Sequence, residues 1–276
     1  MRTAMLWAFG DESHDSTKER IFTVAGLLGD EDQWASFRQA WNARLGGTVF
    51  HAADCDSGYG EFRGMPENER HRLHRDLTGL VAASGLIGYG HAIDLKGCRA
   101  VAPSVMQEFP DMPYYDCFLK TVIKLSEFAA HFVPCRKVAF TFDRHRETQY
   151  NAGLLYRWMT AYKPEIAESV IFGSRSEPGI QAADLWAREL MKRCDTHLFN
   201  DRARARSQWN NLAATKRFQF HFTLGREMAR TFDEVPELAG FNHAAYEQWR
   251  EKRKLTDNLS NRFSYVSSVE TAGKSS

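Results

Sequence analysis

Three aspartates stand where a carboxylate is hard to accommodate. Asp11 follows the run Ala4-Met5-Leu6-Trp7-Ala8-Phe9, which is apolar on both alternating faces and reads as a strand covered on both sides. Gly10 then permits a bend or a close neighbour, and Glu12 and Ser13 come directly after. Asp143 ends a second run, Lys137 to Phe142, in which Val138, Phe140 and Phe142 share one face while Ala139, Thr141 and Asp143 share the other. Asp184 lies in Gly179-Ile180-Gln181-Ala182-Ala183-Asp184-Leu185. Helical spacing puts it on one stripe with Ile180, Ala183, Ala187 and Met191, the face that should meet a sheet. The small neighbours Ala182, Ala183 and Ala187 would let that helix lie close.

Burying an ionised carboxylate without compensation costs several kcal/mol, so each needs a cation, a metal or a proton. If strands 3–10 and 137–143 are parallel neighbours, Asp11 and Asp143 come together and the helix bearing Asp184 closes over them. Three such groups repel, and one or two hard divalent ions, Mg²⁺ or Mn²⁺, would relieve the repulsion. A pair of ions about 4 Å apart can generate hydroxide and stabilise the leaving oxygen of a phosphodiester. Simpler readings stand beside this one. Asp11 and Glu12 suit a hairpin corner, and Asp184 suits an ion pair with an arginine such as Arg144.

The elements that must position these residues follow from pattern. Ile21 to Leu28 is a second strand, antiparallel to the first, and Glu31 to Leu45 is a helix with Trp34, Phe37, Trp41 and Leu45 in phase, stopped by Gly46-Gly47. After Phe50-His51-Ala52-Ala53-Asp54 and a glycine-rich stretch comes a helix from Glu67 to Ser84, then a strand from Leu86 to Ile93. A loop from Pro103 to Pro113 precedes a helix from Tyr114 to Phe132. Beyond the Asp143 strand, a helix from Gln149 to Tyr162 and a short strand from Glu168 to Phe172 lead through a Gly/Ser loop to the helix Ile180 to Arg193. This alternation through the second half of the chain implies an α/β domain with right-handed crossovers and a largely parallel sheet wrapped by helices.

The 276 residues, 43% of them hydrophobic, suffice for one large domain with a real core. A formal charge of +1 means that a nucleic-acid partner would have to be held by a local patch. The candidate is Asp201 to Arg230, where seven Lys/Arg face two acids among Trp209, Phe218, Phe220 and Phe222. It reads equally as a solvated helical surface over aromatic core. Five scattered cysteines without a CxxC pair argue against a disulfide framework and a structural zinc site, and suit a reducing cytosol. With no signal-type segment and no spanning apolar run, the expectation is a cytoplasmic, non-membrane protein.

Phe9-Gly10-Asp11-Glu12-Ser13, Phe142-Asp143-Arg144 and Gly179-Ile180-Gln181-Ala182-Ala183-Asp184-Leu185, in that order, resemble the bacterial domain of unknown function 3800 family. The resemblance covers roughly residues 3 to 195. It implies a ribonuclease H-like fold, a mixed central sheet flanked by helices, with Asp11, Asp143 and Asp184 as metal-binding aspartates. Asp116, near the start of the first long helix, or Glu12 would be a fourth acid. This chain has His14 where the family commonly has glycine.

His51 is a candidate proton donor to a leaving oxygen, or a hydrogen-bonded structural residue. Ser13, His14, Arg144, Ser174 and Gln181 are candidate substrate contacts, and Ser176 could join Ser174 at a helix N-terminus. The expected organisation is a core over residues 1–195 with a helical insertion at about 31–85. A C-terminal helical extension at 196–255, including a helix from Phe241 to Leu255, and a disordered tail at 256–276 complete it. The expected function is a metal-dependent nuclease acting on RNA or DNA. The alternatives are an inactive nucleic-acid- or protein-binding module on the same fold, or a hydrolase of a small phosphate ester.

Overall fold

The computed structural model describes residues 5–101, 103–108, 112–132, 138–144, 167–199 and 204–227. By internal contacts the chain divides into Met1–Met228 and Ala229–Ser276, and every described residue belongs to the first unit. The expected helices at 149–162 and 241–255 and the expected tail lie outside the described residues.

Strands β1 (Leu6–His14), β2 (Ile21–Asp30), β3 (Ile87–Asp94), β4 (Val138–Asp143), β5 (Ala167–Gly173) and β6 (Phe218–Thr223) form one sheet in the order β5-β4-β1-β2-β3-β6. The β1–β2 and β2–β3 pairs are antiparallel, whereas β1–β4, β4–β5 and β3–β6 are parallel. This is the expected α/β architecture with helices on both faces; the sheet is mixed, as the resemblance implies, and not largely parallel, because β2 pairs antiparallel with both β1 and β3. Among the described residues no helix is long and apolar enough to cross a membrane.

Strand β1 runs four residues past its expected end at Gly10. Each residue to His14 has a partner on β2, so Asp11 and Glu12 are strand residues and not a hairpin corner. The turn acid is Asp15 instead. Its carboxylate accepts from the backbone N–H groups of Thr17, Arg20 and Ile21 and from the Thr17 hydroxyl at 2.6–3.1 Å. Burial alone would raise its pKa, but these donors hold it far below the usual carboxylate range.

The insertion contains α1 (Glu31–Leu45), α2 (Ala52–Ser57), a 3₁₀ turn (Gly60–Phe62) and α3 (Glu67–Ala83). Asp30 and Gln33 form a reciprocal capping box at the start of α1, and Gly46, at φ 60°, closes its end. Ring contacts then run from the sheet into the insertion through Phe9, Trp34, Phe37, Trp41, Phe50 and Phe62. Deeper in, His74 of α3 lies 3.4 Å from Asp56 of α2 and 3.3 Å from Glu189, which stands on the helix that carries Asp184.

The segment from Pro103 to Pro113 is not a loop where it is described. Helices α4 (Leu95–Val101) and α5 (Pro103–Glu108) precede α6 (Met112–Phe132). Both prolines sit in the first turn of a helix, where a missing N–H breaks no intrahelical bond. Helix α6 packs on β2 and β3, and α7 (Pro178–Phe199) packs on β1 and β2.

The basic aromatic segment divides into α8 (Ser207–Ala214) and β6. Phe218, Phe220 and Phe222, two residues apart, are compatible with a strand, and pairing along the β3 edge makes the segment one in place of the expected all-helical extension. Trp209 stacks on Trp186, and Phe218 meets the same indole edge-on, so this aromatic group is largely core. Arg206 is bound to Asp56 and Glu189, and Arg217 donates to the Ala82 carbonyl. Those two cations are therefore committed to the protein rather than presented to phosphate.

Asp15→Ala is expected to destabilise the protein by about 2–3 kcal/mol at pH 7, because the buried Ile21 N–H and the part-buried N–H groups of Thr17 and Arg20 lose a charged acceptor. Because the folded pKa is depressed, the carboxylate's contribution is present above the unfolded carboxylate value and is lost as pH falls through the folded one. Urea unfolding at pH 7 and at pH 3 should show the penalty of the substitution shrinking in acid.

Candidate active site

Alternation along β1 sends Phe9, Asp11 and Ser13 to one side of the sheet and Gly10, Glu12 and His14 to the other. Helix α7 covers the first side. Gly179, at its start, lies so close that an added methyl group would strike the Phe9 ring, while Gly10 lies against Phe142 on the α6 side. The β1–β4 register pairs Gly10 with Phe142, so Asp11 and Asp143 are the next residues on neighbouring parallel strands. Phe142 packs on Phe118 of α6 at 4.7 Å, which leaves Asp143 facing α7. Ala182, Ala183 and Ala187 are fully buried, and Asp184 is buried with them. The structure thus brings Asp11, Asp143 and Asp184 to one side of the sheet.

The electrostatics of the three acids differ. Burial pushes Asp11 well above the usual carboxylate range, and the charges of Asp184, Asp143 and Glu12 push it further. Its Oδ1 accepts from the Glu12 N–H at 2.7 Å. Asp184 is also raised, chiefly by burial, although the charge of His51 and the Ala52 N–H, 2.7 Å from its Oδ2, pull it back. Asp143 is held from both ends, by the Arg175 Nε at 2.8 Å and by the Arg144 N–H at 2.9 Å. Among the described residues no lysine or arginine forms an ion pair with Asp11 or Asp184.

The remaining candidates fall in several places. His51 immediately precedes α2, with its Nδ1 3.0 Å from Asp54 Oδ2, and its charge reaches Asp184. Ser13 is buried and follows Asp11 on the α7 side. His14 bonds through Nδ1 to the Asp15 carbonyl, while its own carbonyl accepts from Arg188. Glu12 is on the α6 side, although its charge is felt by Asp11. Asp116 is not gathered with the three aspartates. Its carboxylate is taken by Lys120 at 2.7 Å and faces His91 at 3.4 Å, because α6 lies across the sheet from α7.

Arg144 does not pair with Asp184. Its side chain reaches the Phe172 carbonyl. Ser174 and Ser176 share a hydroxyl contact at 3.0 Å in the exposed loop before α7. Gln181 departs from the expected substrate contact, because its amide is engaged at both ends. The oxygen accepts from Trp41 Nε1 at 2.9 Å and from the Phe50 N–H at 3.1 Å, and the nitrogen donates to the Arg175 carbonyl at 3.0 Å.

Sequence reasoning missed Arg175. It lies in a loop without periodicity, and only the position of Asp143 marks it. Burial would lower its pKa, but the bond to Asp143 and the charges of Asp143, Asp11 and Asp184 raise it.

The donor set, carboxylate oxygens in excess of nearby cations, suits a hard divalent ion. Among the described residues, however, no three His, Cys, Asp or Glu side chains are spaced as a finished ligand group. Arg175 and backbone N–H groups occupy carboxylate oxygens instead.

No protein-family model matches the chain, and no curated protein matches it in sequence. Among solved structures it is similar to an RNase HII of Archaeoglobus fulgidus determined in complex with PCNA. Identity is 13% and the TM-score 0.39, over 74% of this chain and 80% of that one. It is also similar to an RNase HIII, designated Bst, determined in complex with Mn²⁺, at 14% identity and a TM-score of 0.40. That match covers 69% of this chain and 53% of the other, so the chain spans about half the length of that protein. Likeness at this level concerns the fold and carries no argument about individual residues.

Two outcomes test the site's physics. Gln181→Leu should cost about 2–4 kcal/mol in denaturant unfolding, since it strands the buried Trp41 and Phe50 donors. Asp11, whose folded pKa is raised, binds more protons folded than unfolded, so its ionisation costs stability as pH rises above the unfolded carboxylate value. Asp11→Asn should therefore raise the melting temperature of the metal-free protein at pH 7, with the gain vanishing below about pH 4. An equal gain at both pH values would show that the carboxylate's charge is not its source.

Proposed function

We propose that the chain is a divalent-metal-dependent nuclease of the ribonuclease H-like class, related to the domain of unknown function 3800 family. One observation carries the reading. Three buried aspartates from β1, β4 and α7 share one side of the sheet, and two of them are raised while Arg175 neutralises the third. Such an arrangement is costly for folding alone and is the kind of perturbation found at functional sites.

In this reading Asp11, Asp143 and Asp184 hold Mg²⁺ or Mn²⁺, in one or two ions. When bound, the metal supplies Lewis acidity and an activated water for phosphodiester hydrolysis. The chain's own residues orient the rest. The Ala52 N–H fixes one oxygen of Asp184, and Gln181 fixes the backbone of the loop that carries Arg175. Asp54, against Nδ1 of His51, leaves Nε2 as the atom from which a proton would pass to a leaving oxygen. Ser13, on Asp11's side of the sheet, and Ser174, beside Arg175, are the residues we assign to the approach of a nucleic-acid backbone. Among the described residues, the free and buried thiols of Cys55, Cys98, Cys117 and Cys194 support a reducing, cytoplasmic setting.

Labelled RNA and DNA oligonucleotides, incubated with Mg²⁺ or Mn²⁺, should be cleaved by the native protein. Asp143→Asn and Asp184→Asn should each lower the rate by about 100-fold or more, since metal charge stabilisation is worth several kcal/mol. Unchanged cleavage in both variants would remove the assignment. Salt-dependent binding without any cleavage would identify a binding module instead.

A further inference from the structure

Among the described residues, Asp143 is the one acid of the three with partners on both oxygens. Arg175 Nε stands 2.8 Å from Oδ2, and the Arg144 N–H stands 2.9 Å from Oδ1. Asp11 and Asp184 receive backbone N–H donors and no lysine or arginine ion pair among the described residues. The charge of Arg175 is felt by all three carboxylates, and Asp184 also feels His51 and Arg188.

The two partners of this ion pair are unequally mobile. The Asp143 side chain is 6% exposed and that of Arg175 is 55% exposed. The loop backbone under Arg175 is pinned. Gln181 Nε2 donates to the Arg175 carbonyl at 3.0 Å, the Glu177 N–H donates to the Ser174 carbonyl at 2.9 Å, and Arg38 Nε holds Glu177 at 2.8 Å. The guanidinium can thus leave Asp143 for water by side-chain rotation, without displacing the loop. Asp143, being buried, then needs another cation in place of the exposed guanidinium, and a divalent ion can be that cation.

We propose that Arg175 is a built-in competitor for the metal. In the metal-free chain it holds Asp143 and partly neutralises the trio, and it must release Asp143 before a divalent ion can bind there. The proposal rests on the metal-dependent reading above. It accounts for an Asp143 oxygen that a side chain from the protein itself occupies beside two further buried carboxylates.

Mn²⁺ titration followed by electron paramagnetic resonance of the free ion tests this without an activity assay. Arg175→Gln should bind Mn²⁺ about tenfold more tightly than the native chain, the competing charge having been removed. Arg175→Lys, which keeps a cation, should remain close to the native affinity. Circular dichroism and thermal melts establish that each variant is folded, and a merely structural arginine would change those melts and not the Mn²⁺ affinity. Equal or weaker binding in folded Arg175→Gln would overturn the proposal while leaving the metal site standing. If no chain binds Mn²⁺, or if Asp184→Asn leaves the affinity of both chains unchanged, the metal-dependent reading falls and the proposal falls with it.

Discussion

Helix α7 lies on the sheet so closely that Gly179 touches the Phe9 ring, and it carries Asp184 into the layer that Asp11 and Asp143 enter from below. That approach sets the central constraint of the molecule. Its fully buried alanines make it possible, and the resulting repulsion among carboxylates is what the surrounding residues must offset. Ala52, Arg175 and the two backbone N–H groups beside the strand acids do this in part. The residual strain appears as the raised protonation of Asp11 and Asp184.

The insertion between β2 and β3 is the outer wall of the same site. Trp41 of α1 and the Phe50 N–H both donate to Gln181, and His74 joins α3 to Asp56 of α2 and to Glu189 of α7. These polar ties are buried, and so a break in one leaves a donor or a charge without water. They convert an insertion that resembles decoration in sequence into the support for His51 and for the N–H that fixes Asp184. They also explain why α7 is buried on nearly all sides of its first ten residues, when an amphipathic helix buries only a stripe.

Much of this was legible because local periodicity reports local structure. The alternation of Val138, Phe140 and Phe142 placed Asp143 on the opposite face from the phenylalanines. The spacing of Trp34, Phe37, Trp41 and Leu45 marked α1, and its capping residues made both ends readable. Where the reading failed, the deciding contact was not local. Prolines at 103 and 113 resembled a loop until the helices that use them as first-turn residues were in view. Phe218, Phe220 and Phe222 resembled the face of a basic helical surface, and became a strand because β3 offered an edge to pair with.

By itself the sequence determined the α/β class, the order of the principal strands and helices, and the identity of the three aspartates, since each stands at a conflict between charge and burial that neighbouring residues reveal. Only the tertiary structure decided which acids meet. The parallel register of β1 with β4 sets Asp11 beside Asp143, and the choice of sheet face separates Asp116 and Glu12 from Asp184. It alone revealed Arg175 as the cation on Asp143 and turned Gln181 from a substrate contact into a brace. The physical reason is that charge compensation and amide satisfaction act between side chains far apart in the chain, and no periodicity in the sequence records who the partner will be.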